Sequence, residues 1–144
     1  FKDTWEWDAA AAEAYGELMR EHGHRRVGRL MESLHSFLVQ SNDQRRGNDL
    51  FAYLTMMALR LIELHRVLKP TGSLYLHCDP TASHYLKLIL DSVFGEKNFR
   101  NEIVWKRTSA HSDAKRYGRI HDVLFFYTVS GDFTWNRQEG TRST

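Results

Sequence analysis

Apolar positions along the chain change their spacing several times, and each change marks an element. Asp8 precedes "AAAAEAYGELMREHG", an alanine-rich stretch of high helix propensity that Gly23 can stop, so a first helix is predicted there. Val27, Leu30, Met31, Leu34, Phe37 and Leu38 then recur at three- and four-residue steps. That spacing predicts an amphipathic second helix with Arg25, Arg26, Arg29 and Glu32 on its wet side. "SNDQRRGND", Ser41 to Asp49, is a polar connector in which Asn48 or Asp49 can cap a third helix. From about Leu50 to Leu68 the apolar residues cover most of a helix circumference, which demands burial against more than one neighbour. Pro70 and Gly72 end that third helix.

The period then shortens. "SLYLHC" is a short continuous apolar strand, of the kind covered on both faces. Thr81 is placed to cap a helix carrying Leu86, Ile89, Leu90, Val93 and Phe94, with Gly95 as its stop. "NEIVWKR", Asn101 to Arg107, is a second strand, which makes a strand–helix–strand unit expected to be parallel and right-handed. A polar loop leads to an aromatic-rich third strand, "DVLFFYTV", expected as an antiparallel edge, and a short "FTW" strand comes after the Ser130-Gly131 turn. The expected class is α/β, a partial Rossmann-type sheet with a helical N-terminal half. Within one partial domain, residues 1–47 form the helical segment, 48–136 the core and 137–144 a frayed end. The apolar third helix asks for a larger sheet than these strands make, and a missing partner segment is expected.

At 144 residues and 42% hydrophobic the chain can bury a core, and no 18-residue apolar run exists to span a membrane. Net charge is only +2, so global charge does not mark a nucleic-acid binder. The single cysteine, Cys78, excludes a disulfide framework and fits a reducing cytoplasm. Phe1 opens the chain without an initiator Met or a signal-like segment, as expected of a piece of a longer protein.

Three groups of residues carry candidate chemistry. Asp79-Pro80-Thr81 ends a strand, where open α/β sheets place ligands, yet it also suits a capped strand-to-helix junction. His77, Cys78, Asp79 and His84 hold metal-ligating atoms, but strand alternation puts Cys78 on the opposite face from His77 and Asp79, so no metal site is expected. Between the second and third strands lie Lys106, Arg107, Lys115, Arg116 and Arg119, with Asp113 the lone acid and His111, Tyr117 and His121 interleaved. Cations beside rings suit a phosphate backbone and unstacked bases, and the plain alternative is a solvated loop.

"LKPTGSLYLHCDPTASHYLKLILDSVFGEKNFRNEIVWKR", followed by "HDVLFFYT", closely resembles the bacterial DNA amino-methyltransferases, over about Leu50 to Asn136. These enzymes methylate adenine N6 or cytosine N4 with S-adenosylmethionine. The resemblance implies that the first strand corresponds to the family's fifth and that the other two form its outer, partly antiparallel edge. The family's catalytic motif is Asp, Asn or Ser, then Pro-Pro, then an aromatic residue that stacks on a flipped base. Asp79-Pro80-Thr81-Ala82 lacks the second proline and the aromatic, and matches the segment one strand later. Asp79 is therefore expected at the active-site wall and not as the catalytic group.

Pro70 and Pro80 are the only prolines, and no Gly-x-Gly occurs among nine glycines, so the catalytic motif and the glycine-rich cofactor loop are both absent. The resemblance thus implies the middle of a DNA methyltransferase, acting on adenine or cytosine amines, whose own S-adenosylmethionine binding and activity are expected to be lacking. Lys106, Arg107, His111, Lys115, Arg116 and Arg119 are the expected DNA contacts. The rival readings are a non-catalytic nucleic-acid-binding module on the same core, or an assembly fragment using its third helix as an interface. An open strand edge and uncovered apolar helix lead us to expect self-association.

Overall fold

The computed structural model describes residues 5–40, 43–108 and 115–137. Helix α1 (Ala9–His22) starts where Asp8 Oδ1 accepts from the Ala11 amide at 2.8 Å and ends at Gly23, as the pattern predicts. Helix α2 (Arg26–Val39) buries Val27, Met31, Leu34 and Leu38 and leaves Arg25, Arg26, Arg29 and Glu32 wet. Phe37, expected on the apolar stripe, is 65% exposed instead. At 100° per residue it lies about 90° around the helix from that stripe.

Helix α3 (Gln44–Val67) starts earlier than its apolar run, because Asp43 caps it: Oδ1 accepts from the Arg46 amide at 3.2 Å. Its need for several neighbours is met largely within the chain. Phe51, fully buried, sits among Trp7, Tyr15 and His35 with ring centroids 5.4, 5.3 and 4.8 Å away, which joins α1, α2 and α3 in one cluster. Leu54, Ala58 and Leu61 continue the same core towards α4 (Ser83–Phe94), whose Leu86, Ile89 and Leu90 are also fully buried.

The sheet holds β1 (Ser73–Cys78), β2 (Phe99–Lys106) and β3 (His121–Thr128) in the order β1-β3-β2, with β3 antiparallel to both neighbours. β1 and β2 therefore run in the same direction across α4, but they do not pair with each other. The third strand is antiparallel as expected, yet central and not at the edge. Its side chains explain the position. Val123, Phe125 and Tyr127 are buried towards the helices, while Phe126 is buried on the other face, stacked on Tyr75 at 4.5 Å. A strand apolar on both faces gains most from the middle, and β2, with Asn101, Glu102 and Lys106, tolerates the edge. The expected "FTW" strand does not form. Phe133 and Trp135 instead place their rings 6.1 and 5.8 Å from Phe126.

The Tyr127 hydroxyl of β3 fastens the sheet to α4, and an i,i+4 ion pair within the helix braces the same acceptor. The Tyr127 hydroxyl donates to Asp91 Oδ1 at 2.5 Å, and Lys87 Nζ donates to both oxygens of that carboxylate at 2.8 Å. Burial first, and then this contact with Asp91, pushes the Tyr127 hydroxyl well above the ordinary phenol range. Gly95, at φ 89°, turns the chain out of α4 in a conformation that other residues resist. Asn98 Nδ2 then donates to Phe94 O (2.7 Å) and Val129 O (3.1 Å), tying the helix end to the exit of β3.

Candidate active-site wall and nucleic-acid-facing segment

At the carboxyl end of β1 the backbone turns directly into α4, and Asp79 controls the turn. Its Oδ1 accepts from the amides of Thr81 (3.1 Å) and Ala82 (3.3 Å), and its carbonyl accepts from Ser83. The helix N-cap itself is Ala82, which has no side-chain hydrogen bond, so Asp79 and not Thr81 satisfies these orphan donors. Pro80 fits because a residue in this first turn needs no amide partner.

The same Asp79 lines a cleft of about 1080 Å³ between the end of β1 and the start of α3. Aromatic groups line it: Trp5 and Tyr53, with ring centroids 5.7 Å apart, Phe37 from α2 and Tyr85 from α4. The exposed Phe37 is thus a cleft residue. Arg45 and Arg46, in the first turn of α3, add positive charge beside Asp43 and Asp49. Across the cleft stand His77, Cys78 and Asp122.

β1 and β3 bring His77 and Asp122 together from 45 residues apart. His77 Nε2 donates to Asp122 Oδ2 at 2.9 Å, with the carboxylate only 6% exposed. Arg107 Nη1 lies 3.4 Å from Asp122 Oδ1, close enough for charge attraction but outside hydrogen-bond geometry. Cys78 lies on the helix-facing side. Burial, with smaller contributions from the Asp79, Glu102 and Asp122 carboxylates, pushes its thiol up to about 12, so it stays protonated at neutral pH.

Of the expected DNA-facing residues, Lys106 ends β2 opposite His121, and Arg107 donates its amide to Ile120 O at 2.8 Å. Lys115, Arg116 and Arg119 are exposed, and Tyr117 is 98% exposed. His111 and Asp113 lie outside the described residues. Arg107 joins this basic segment to the cleft through Asp122, a connection that local sequence did not reveal. Among the described residues, Gly47 is the one glycine that lines the cleft. Among the described residues no helix is long and apolar enough to cross a membrane.

A sheet with helices packed on it and a ligand-sized cleft at a strand's carboxyl end is part of an α/β methyltransferase-like fold. A model of the DNA methylase family matches residues 15–142, and the chain belongs to that family. It is 31% identical over 87 residues to the type II methyltransferase M.EcaI of Enterobacter cloacae, covering 60% of this chain and 19% of that protein. Over 81 residues it is 38% identical to the Mod subunit of the type III restriction-modification enzyme StyLTI of Salmonella typhimurium, 56% of this chain and 12% of that subunit. The type II methyltransferase M.KpnI of Klebsiella pneumoniae is 29% identical over 98 residues, 65% of this chain and 24% of that protein. The matched stretch therefore spans a quarter or less of each of these relatives.

Proposed function

We propose that this chain is one part of the catalytic domain of a DNA methyltransferase that transfers the methyl group of S-adenosylmethionine to an exocyclic amine of adenine or cytosine. The observation that carries this is the contact of Arg107, at the end of β2, with Asp122, which lines the cleft at the end of β1. The cleft offers rings for stacking and carboxylates that accept from amines, the two demands of holding an extruded base. The neighbouring cations suit the phosphates on either side. Asp79 forms the wall of this site and sets the start of α4.

S-adenosylmethionine is the donor implied by the family, and the glycine-rich turn expected to hold it does not occur in this sequence. The rest of the domain would supply that turn, along with the Pro-Pro-aromatic motif.

The test measures DNA affinity of the full-length protein across a salt series, for wild type and for Lys115→Ala with Arg116→Ala. Each lost phosphate contact lowers the slope of log affinity against log salt by about 0.9. We expect a shallower slope and equal weakening on cognate and scrambled duplexes, because phosphate contacts position the duplex without reading it. An unchanged slope would return the segment to ordinary surface.

A further inference from the structure

The outer edge of β2 is one of the two open edges of the sheet, β1 having the other. β2 pairs with β3 on one side, and among the described residues no strand pairs with it on the other. Every residue from Asn101 to Lys106 is exposed, including Ile103 (37%), Val104 (63%) and Trp105 (57%). Natural sheets interrupt such an edge with a central charge, a proline or a bulge. Here the irregularity sits at the strand's start, between Phe99 and Asn101, and the middle is left apolar.

The order of side chains along the strand names the partner. Glu102, Ile103, Val104, Trp105 and Lys106 run acid, three apolar residues, base. Neither Glu102 nor Lys106 has an ion-pair partner among the described residues. A two-fold axis perpendicular to the sheet relates two antiparallel copies and keeps each face on its own side, so the axis must pass midway between one residue and its own copy.

Few choices remain. An axis at Glu102 or Lys106 sets like charges against each other, and one at Ile103 sets Arg100 opposite Lys106. At Trp105 it sets Val104 opposite Lys106 and Ile103 opposite Arg107. At Asn101 the ladder runs into the bulge and leaves Val104 and Trp105 unpaired. Only Val104 gives a matched set: Glu102 opposite Lys106 twice, Ile103 opposite Trp105 twice, and Val104 against itself.

We propose that β2 is a self-association edge, pairing antiparallel with β2 of a second copy about a two-fold axis midway between the two Val104 residues, to join two three-stranded sheets into one of six strands. This does not depend on the proposed methyltransferase activity. The test is sedimentation of the 144-residue chain over a concentration series, with circular dichroism to show that each variant is folded. Wild type should dimerise reversibly.

Glu102→Lys and Lys106→Glu each replace two attractive cross-strand pairs with two repulsive ones and should weaken the dimer about tenfold or more. The two single variants mixed in equal amounts restore both pairs and should form a heterodimer, and the double exchange Glu102→Lys with Lys106→Glu should dimerise like wild type. A Val104→Cys chain should form a disulfide-linked dimer under mild oxidation, because Cα atoms opposed in such a ladder are about 4.5–5.5 Å apart. The native Cys78 is only 6% exposed and should not compete. A monomeric wild type at every concentration, single variants that dimerise as tightly as wild type, a mixture that fails to associate, or a Val104→Cys chain that yields no linked dimer would each overturn the proposal.

Discussion

Asp79→Ala tests the junction on which the candidate site is built. The substitution removes the acceptor for two amides, those of Thr81 at 3.1 Å and Ala82 at 3.3 Å, and Ala82 has no side-chain acceptor to replace it. Asp79 is exposed, so water recovers part of the loss. The cost should then fall in the range for a lost helix cap, about 1 kcal/mol and no more than about 2 kcal/mol. Asp79→Asn keeps an oxygen acceptor and loses only the charge near the helix N-terminus, worth about 0.3–1 kcal/mol at an exposed site. Alanine should therefore cost more than asparagine. Urea unfolding of the three chains measures this as a shift in midpoint at constant slope. For a domain of this size, 1 kcal/mol corresponds to a fall in Tm of about 4 °C. If Asp79→Ala were as stable as wild type, Asp79 would not be the cap. A separate role for its charge at the active-site wall would appear in the full-length protein as reduced methyl transfer by Asp79→Asn without loss of stability.

Further perturbations test the core and the missing chemistry. Tyr127→Phe should cost about 1.5–3 kcal/mol in urea unfolding, because it deletes a buried hydrogen bond to a charged acceptor; a loss under about 0.5 kcal/mol would show that Lys87 alone satisfies Asp91. Phe51→Ala should cost about 3–5 kcal/mol, since the cavity would open among Trp7, Tyr15 and His35. The Cys78 thiol is raised in the folded state from 9.0 to about 12, so its stabilising effect is complete below pH 9 and declines as pH rises towards 12. Stability should fall between pH 9 and 10 by up to about 1.4 kcal/mol per pH unit in wild type and less in Cys78→Ala, and equal slopes would refute the assignment. Calorimetry with the isolated chain should detect no S-adenosylmethionine binding, and micromolar binding would overturn the view that the rest of the domain holds the cofactor.

The four helices, the three strands and most of their ends were legible in the sequence, because caps, glycine stops and apolar spacing act within a few residues. Asp8 before the alanines starts α1, and Gly95 after Phe94 stops α4, as the local signals predict. The family was legible too, since "GSLYLHCDPTASHYLK" and "NEIVWKR" are long and unusual phrases. Where several local signals compete, their sequence alone does not rank them: Asp43 outranks Asn48 and Asp49 as the start of α3, and Asp79 outranks Thr81 at α4. The order of the strands was decided only by tertiary packing, because whether β3 lies at the edge or the centre depends on what covers each face. The placing of Phe133 and Trp135 on Phe126, where a strand was expected, has the same origin. The His77–Asp122 pair, and with it the link from cleft to basic segment, comes from the register between β1 and β3. Register is set by the summed fit of two faces along both strands, and no short stretch of sequence contains it.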